Sequence, residues 1–193
     1  MIRRAVFFDR DGTINPDSGY IDSPEKISIF PAARSGLRLL YQHDYLLFVV
    51  TNQSGVGRGY FPESALEPIH RKLLSEIERD GVKLTEIAYC PHHPDEKCKC
   101  RKPSPYLVMR LANRYGVDLA RSYFIGDKIS DVLTGKNAGC GSILLAEDSR
   151  LLDLREMKEW VEPDYIAVDL FQAARWIVDP ARNGFQAGNP KSE

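Results

Sequence analysis

The sequence predicts an α/β protein with a doubly wound parallel sheet, in which helices cover both faces. Short apolar runs rich in β-branched and aromatic residues alternate with longer segments of helical period, as in parallel α/β folds. The chain has 193 residues, about the length of one ordinary domain, and 43% of them are hydrophobic. Three long irregular stretches, at 12–31, 52–61 and 91–103, each follow an expected strand. In an open parallel sheet such loops form the ligand crevice.

The expected elements alternate in order along the chain. We expect strands at 5–8, 46–50, 86–89, 122–125, 141–145 and 165–168. We expect helices at 33–42, 62–79, 105–115, 130–138, 151–160 and 170–177. In the third helix, Leu107, Leu111 and Tyr115 recur every four residues and build one apolar stripe.

The same pattern predicts a single domain over residues 1–179. A separate cap domain is not expected, because a cap of about 50 residues would not fit in any of the three loops. The last segment, 180–193, contains two prolines, two glycines and few apolar residues, so we expect it to be disordered.

The charge balance excludes several classes of partner. With 26 basic and 27 acidic residues the formal net charge is −1, so no overall positive field recruits nucleic acid or an anionic membrane. The most apolar stretch, 45–50, is far shorter than the roughly 20 residues of a membrane span, and the N-terminus turns acidic too early for a signal peptide. We therefore expect a cytoplasmic protein that binds a small molecule. No exposed apolar helix face stands out, which favours a monomer.

Two carboxylates follow the first expected strand. Asp9 and Asp11 are two residues apart, and Gly12 allows the backbone to turn sharply after them. One carboxylate at such a strand end can attack a phosphorus centre and hold Mg²⁺, while the other moves protons to and from the leaving oxygen. An isolated Asp-x-Asp-Gly is a solvated turn about as often as it is a catalytic motif. The residues at the other strand ends are therefore needed to choose between the two interpretations.

Polar residues also follow the second and fourth expected strands. Thr51 begins a Thr-Asn-Gln-Ser-Gly run that can donate hydrogen bonds to phosphate, although alone it also fits a flexible loop. Asp127 would bring a third carboxylate to the edge of the sheet that holds Asp9 and Asp11, and three carboxylates suit Mg²⁺. Asp131 lies in the first turn of an expected helix, where a carboxylate can act as a cap.

A short segment concentrates metal-ligand residues. Cys90, His92, Cys98 and Cys100 form a Cys-x-His-x5-Cys-x-Cys pattern. Three thiolates and one imidazole complete a tetrahedral Zn²⁺ site with no vacancy for water, so we expect a structural zinc-binding loop. Redox-active or incidental cysteines are the alternative. We favour His92 over His93, because its spacing from Cys90 mirrors the spacing of the two later cysteines.

Two cations follow the last of these ligands directly. A loop stiffened by a metal would hold Arg101 and Lys102 in position for phosphate, whereas the simpler interpretation is an exposed basic pair. Because the overall charge is close to zero, local cations must hold any second phosphate. The candidates are Arg10, Arg58, Arg101, Lys102 and Lys128.

Together these motifs resemble the haloacid dehalogenase superfamily, in its order and over most of residues 5–145. They are Asp-x-Asp-Gly-Thr at 9–13, Thr51, Lys102, and Gly126-Asp127 with Asp131. The resemblance implies a Rossmannoid sheet and a phosphatase that forms an aspartyl-phosphate intermediate. The segments at 17–20, 51–55, 90–94 and 98–103 are further similar to bacterial D-glycero-D-manno-heptose 1,7-bisphosphate 7-phosphatases, which help to make the nucleotide-activated heptose of lipopolysaccharide or other surface glycans.

The resemblance implies a role for each matching residue. Asp9 would be the nucleophile and a Mg²⁺ ligand, and Asp11 would be the general acid and base and would offer a backbone carbonyl to the metal. Asp127 would be the third Mg²⁺ ligand. The transferring phosphoryl group would be steadied by Thr51, Arg101 and Lys102. Substrate contacts are implied for Asp17, Ser18, Gly19, Tyr20, Thr51, Asn52, Gln53, Ser54, Arg101, Lys102 and Lys128. Zinc would be bound by Cys90, His92, Cys98 and Cys100.

Three other functions remain open from the sequence. A histidinol-phosphate phosphatase shares the motifs and the short zinc loop, but it would favour acidic residues over cations beside the leaving group. A polynucleotide 3′-phosphatase is disfavoured, because the chain lacks a basic stripe with interleaved aromatic residues. A non-catalytic, zinc-stabilised binding module is disfavoured because both Asp9 and Asp11 are present.

Overall fold

Six parallel strands form the sheet in the computed structural model, which describes residues 3–179. The strands are β1 (Ala5–Phe8), β2 (Leu46–Asn52), β3 (Glu86–Cys90), β4 (Tyr123–Gly126), β5 (Gly141–Leu145) and β6 (Tyr165–Ala167). Their order across the sheet is β3-β2-β1-β4-β5-β6. The expected doubly wound parallel sheet is therefore confirmed. The segment 180–193, expected to be disordered, lies outside the described residues.

The helices agree with the sequence except at a few ends. They are α1 (Pro31–Gln42), α2 (Ser54–Gly57), α3 (Leu66–Glu78), α4 (Tyr106–Tyr115), α5 (Ile129–Ala138), α6 (Asp148–Arg155) and α7 (Leu170–Val178). The short α2 lies in a segment expected to be a loop. The expectation of a helix at 151–160 was wrong at both ends, and α6 stops at Arg155. Beyond it Met157 and Trp160 donate backbone hydrogen bonds three residues back, which makes turns instead of a helix.

Alternate residues of each strand face opposite layers of helices. In β1, Val6 and Phe8 pack into a core formed with α1, α3 and α7. Ala5 and Phe7 pack on the other face, against the apolar side of α4. The same face continues to α5 and α6, which pack over Leu144 of β5. Both faces of the sheet are buried, as the continuous apolar runs of its strands require.

The register of the sheet brings three strand ends to one edge. Phe8 of β1 pairs with Val49 of β2 on one side and with Ile125 of β4 on the other. The strand order reverses at β1, because β2 lies on one side of it and β4 on the other. A crevice forms beyond the carboxyl ends of the strands at such a switch point. No helix in residues 3–179 has the length and apolar character of a membrane span.

Candidate active site

A crevice of about 340 Å³ opens beyond β1, β2 and β4. Its lining includes most of the residues that the sequence predicts as substrate contacts. They are Asp17, Gly19, Tyr20, Thr51, Asn52, Gln53, Ser54, Arg101, Lys102 and Lys128, together with Asp9, Asp11 and Ser130. Ser18 is exposed on the same loop but is not part of this lining. The sequence predicts that these residues lie in loops after strands. The structure shows that the loops, although separate along the chain, meet in one crevice.

Three carboxylates converge at the bottom of the crevice. Asp9, Asp127 and Asp131, here called the aspartate cluster, each offer an oxygen within 4.8 Å of the others. Lys102 Nζ lies 2.8 Å from Asp9 Oδ1 and 2.7 Å from Asp131 Oδ1. Burial alone would lower the pKa of Lys102, but the carboxylates of Asp131 and Asp9 outweigh it and hold that pKa above its usual value. The ammonium group is therefore a fixed positive charge.

The aspartate cluster fits a hard divalent cation. Three buried carboxylates and one ammonium group leave an excess of negative charge, and burial raises the pKa of both Asp131 and Asp127. Asp127 Oδ1 is buried and accepts no hydrogen bond from the described residues. Such an oxygen is costly to bury without a partner. Oxygen ligands and a need for positive charge are what Mg²⁺ satisfies.

Glycines allow this close approach of β1 and β4. Gly12 has φ +85°, and a Cβ there would lie 2.4 Å from Asp127 Oδ2. A Cβ at Gly126 would lie 2.3 Å from the Asp131 carboxyl group. Any larger residue at either position would push a carboxylate out of the cluster.

Asp11 is bound differently from Asp9. Its carboxylate accepts hydrogen bonds from Arg10 at 3.0 and 2.9 Å, from Asn15 at 3.0 Å and from Gln53 at 3.1 Å. The Arg10 side chain is fully buried, so this cation is not available to a second phosphate. These donors fix the orientation of the Asp11 carboxyl group. A charged residue between two carboxylates at the end of a buried strand needs a partner, and this is the signal in the sequence that could have predicted the contact.

The polar run after β2 holds its neighbours in place. Gln53 Nε2 donates to Thr51 Oγ1 at 2.8 Å as well as to Asp11. Asn52 Oδ1 accepts from the backbone N–H of Lys102 at 3.0 Å. Asn52 and Gln53, both expected to contact substrate, thus also orient residues that are expected to be catalytic. This double role could not be read from the motif alone.

An ion pair and an aromatic pair lie at the mouth of the crevice. Lys128 Nζ donates to Asp17 Oδ2 at 2.9 Å. Burial alone would lower the pKa of Lys128, but Asp17 and the nearby aspartates raise it. Tyr20 meets Tyr60 edge-on, with ring centroids 4.7 Å apart. Tyr60 was missed from the sequence, because nothing in the spacing links it to Tyr20.

The cysteine–histidine segment folds into one compact cluster. The sulfur of Cys98 lies 3.4 Å from that of Cys90 and 3.7 Å from that of Cys100, and His92 Nδ1 lies 3.6 and 3.2 Å from the sulfurs of Cys90 and Cys100. A tetrahedral zinc with bonds of about 2.3 Å spaces two sulfurs about 3.8 Å apart. The four residues, here called the zinc loop, therefore fit Zn²⁺. His93 instead accepts a hydrogen bond from the backbone of Asp95.

The zinc loop is joined to the crevice on both sides. The backbone N–H groups of Gln53 and Gly57 donate to the carbonyls of Cys90 and Pro91, at 2.8 Å each. Arg101 follows the last zinc-loop cysteine and lines the crevice, and its Nη1 is buried without a hydrogen-bond partner among the described residues. Arg58, another candidate for a second phosphate, is exposed and does not line the crevice.

Comparison with known proteins agrees with this geometry. Residues 99–173 match a family model described as HAD-hydrolase-like. A D-glycero-β-D-manno-heptose-1,7-bisphosphate 7-phosphatase of Rhodopseudomonas palustris is 38% identical over 144 residues, which are 71% of this chain and 80% of that relative. The chain belongs to the heptose bisphosphate phosphatase family. It is a phosphatase of the haloacid dehalogenase superfamily, as its motifs imply.

Other members of the heptose bisphosphate phosphatase family extend the match. A D-glycero-α-D-manno-heptose-1,7-bisphosphate 7-phosphatase of Campylobacter jejuni is 35% identical over 150 residues, 78% of this chain and 86% of that relative. The crystal structure of the D,D-heptose 1,7-bisphosphate phosphatase of B. bronchiseptica, complexed with magnesium and phosphate, has a TM-score of 0.82 and 32% identity, and the match covers 90% of this chain and 97% of that one. The resemblance inferred from the motifs is confirmed.

Proposed function

We propose that this chain removes the 7-phosphate of D-glycero-D-manno-heptose 1,7-bisphosphate in a Mg²⁺-dependent reaction, as a step toward nucleotide-activated heptose for lipopolysaccharide or surface glycans. The observation that carries the proposal is one crevice with two kinds of anion site. The aspartate cluster with Lys102 lies at its bottom, and the unpartnered guanidinium nitrogen of Arg101 lies in its wall. A bisphosphate offers one anionic group to each.

Asp9 acts as the nucleophile in this proposal. Its Oδ1 accepts a hydrogen bond from the Arg10 backbone N–H and forms an ion pair with Lys102, whereas Oδ2 accepts no hydrogen bond from the described residues. Asp9 Oδ2 forms a bond to phosphorus while the bond between phosphorus and the sugar oxygen breaks, and water then hydrolyses the aspartyl phosphate. Asp9, Asp127 and the Asp11 carbonyl would hold Mg²⁺, which would supply positive charge against the repulsion between the carboxylate and the phosphate dianion.

Asp11 serves as the acid and base in this proposal. It gives a proton to the leaving sugar oxygen and takes one from the attacking water. Its carboxyl group is held at the crevice by hydrogen bonds from Arg10, Asn15 and Gln53.

The basic residues of the crevice bind the two phosphates of the substrate. Lys102, fixed by Asp9 and Asp131, steadies the transferring phosphoryl group together with Thr51 and Arg101. Arg101 and Lys128 also reach the second phosphate at the mouth of the crevice, where Lys128 exchanges Asp17 for the substrate. Cys90, His92, Cys98 and Cys100 would hold Zn²⁺, which would only stiffen the segment that carries Arg101 and Lys102.

The histidinol-phosphate alternative fits the crevice less well. That substrate carries an ammonium group and an imidazole, which would favour carboxylates near the leaving group. Here the exposed carboxylate in the lining, Asp17, is already paired with Lys128, and Arg101 adds a further positive charge. The crevice wall therefore suits a second anion.

We further propose that the protein acts in the cytoplasm as a monomer. The zinc loop needs reduced thiolates, which a reducing compartment maintains. The residues proposed for catalysis and phosphate binding line one crevice of a single chain or, like Asp127, belong to the aspartate cluster.

The test is to follow the bisphosphate by ³¹P NMR, with both anomers as substrates and Mg²⁺ present. We expect the C7 phosphomonoester signal to disappear, the C1 phosphate to stay on the sugar and inorganic phosphate to appear. The Asp9→Asn protein serves as the control for a contaminating phosphatase. Release of the C1 phosphate, or no release by the unmodified protein, would contradict the proposal. The anomer consumed faster shows which activated heptose the chain serves.

A further inference from the structure

Arg150, which lies outside all the motifs, contacts the aspartate cluster. Arg150 lies in the first turn of α6, and its Nη2 lies 2.8 Å from Asp127 Oδ2 and 2.9 Å from the Asp127 carbonyl oxygen. Asp127 is 2% exposed, whereas the Arg150 side chain is 46% exposed and reaches inward from the surface. The buried carboxylate is thus held from outside the cluster by one side chain.

The two contacts fix the orientation of Asp127. A nitrogen that donates to both the carboxylate and the main-chain carbonyl of one residue restricts rotation about both side-chain bonds of that residue. Of the two carboxylate oxygens of Asp127, only Oδ2 contacts Arg150. The other oxygen, Oδ1, is buried and accepts no hydrogen bond from the described residues. Asp127 still offers an oxygen within 4.8 Å of those of Asp9 and Asp131.

We propose that Arg150 is a positioning residue for the metal site: by holding Asp127 Oδ2 it presents Oδ1 to Mg²⁺. Partners that hold the non-coordinating atoms of a metal ligand typically change metal affinity by about 10- to 100-fold. The inference rests on the proposed function, because it assumes that Asp127 is a Mg²⁺ ligand.

A second interpretation makes Arg150 a competitor, a positive charge that neutralises Asp127 until Mg²⁺ displaces it. The contacts favour positioning. Arg150 contacts Oδ2 and leaves Oδ1 without a hydrogen bond from the described residues, so one oxygen of Asp127 stays open to a cation while Arg150 is bound. The Arg150 charge is also screened by solvent, because nearly half of the side chain is exposed. Its effect on the orientation of Asp127 is not screened.

The experiment compares Arg150→Ala with Arg155→Ala in the full chain. Arg155 lies on the same helix and stacks over Trp160, with 5.8 Å from its guanidinium carbon to the ring centroid, so the control removes the same charge without touching Asp127. Mg²⁺ binding is measured by calorimetry in resin-treated buffer without chelator, so that zinc stays in its loop. Melting temperatures are recorded with and without Mg²⁺.

We expect Arg150→Ala to weaken Mg²⁺ binding about tenfold and to reduce the rise in melting temperature on adding Mg²⁺. Arg155→Ala should stay within about twofold of the unmodified protein, and Arg150→Lys, which keeps a donor, should lie between the two. In the Arg150→Ala protein kcat should recover at saturating Mg²⁺, because only metal affinity has changed.

Unchanged or tighter Mg²⁺ binding by Arg150→Ala, with normal binding by the unmodified protein, would overturn this inference and leave the proposed function standing. If Arg150→Ala did not fold, Arg150→Lys would decide by the same comparison. An unmodified protein that bound no Mg²⁺ would overturn the proposed function as well.

Discussion

The aspartate cluster and the zinc loop lie at the same edge of the sheet, but the chain builds them in opposite ways. The carboxylates and the lysine of the first come from three segments far apart along the chain, at residues 9, 102 and 127–131. The ligands of the second all lie within residues 90–100. The first cluster exists only because the strand order brings these segments together, whereas the second needs little more than its own loop.

This difference shows that catalytic chemistry and structural support are assigned to separate parts of the molecule. The aspartate cluster buries charge in an excess that a cation must neutralise, so it is suited to react with a phosphate and unsuited to stabilise the fold. The zinc loop closes all four ligand positions, so it supplies stability without open chemistry. Arg101 and Lys102 connect the two, because they follow the zinc loop and enter the crevice.

The sharpest test of the reactive region is Asp9→Asn. A carboxamide cannot form the aspartyl phosphate, so we expect kcat to fall by at least about 10⁴-fold while the fold is retained. Steady-state kinetics and circular dichroism measure the two effects. A variant that stayed active, with its carboxamide shown by mass spectrometry to be intact, would contradict the assignment of Asp9.

The matching test of the supporting region is Cys98→Ala. We expect loss of zinc, a fall of roughly 3 kcal/mol in the free energy of unfolding, and a melting temperature lower by about 6–12 °C. Because Arg101 and Lys102 then lose their fixed position, kcat/KM should also fall, by about 100-fold.

Cys140→Ala is the matched control, since it removes the same sulfur from a buried residue outside the loop. It should keep one zinc per chain by elemental analysis and nearly normal kcat/KM. Equal zinc contents in the two variants would refute the ligand assignment of Cys98.

A third test addresses the link between the two regions. Arg101→Ala should lower kcat/KM for the bisphosphate by about 10- to 100-fold, the usual cost of a lost charged hydrogen bond. For a generic aryl phosphate, which has no second phosphate, the fall should be clearly smaller. Arg110→Ala is the control, because Arg110 pairs with Glu86 on the surface of α4. Equal falls for both substrates would show that Arg101 does not hold the second phosphate.

The smallest effect is expected at the mouth of the crevice. Lys128 is paired with Asp17 and partly exposed, so Lys128→Ala should raise KM for the bisphosphate about threefold and leave kcat nearly unchanged. Added salt should reduce the difference from the unmodified protein. Lys26→Ala, which removes an exposed pair with Asp22, serves as the control. A fall in kcat would instead assign Lys128 to the transferring phosphoryl group.

The sequence was most informative where function depends on local spacing. The zinc loop could be predicted because its ligands lie within one short segment whose spacing is characteristic of zinc. The strands could be predicted because both faces of the sheet are buried, which makes each strand a continuous apolar run. The ends of α6 could not be predicted, because the residues around them have a composition that suits a helix and a series of turns equally well.

Contacts made only by tertiary structure were not visible in the sequence. Arg150 follows β5 in a segment without a motif, and only the sheet order brings it to Asp127. Arg10 was read as a candidate for phosphate, but in the fold it is enclosed and holds Asp11. Asp131 both caps α5 and pairs with Lys102, two roles that sequence reasoning could not separate.

The most direct test of the central claim is a comparison of kcat/KM values with Mg²⁺. D-glycero-D-manno-heptose 1,7-bisphosphate and histidinol phosphate would be assayed at equal concentrations. We expect selectivity for the bisphosphate of about 10²-fold or more, which corresponds to about 2.7 kcal/mol at the transition state. A preference for histidinol phosphate would contradict the proposed substrate while leaving the role of Asp9 intact.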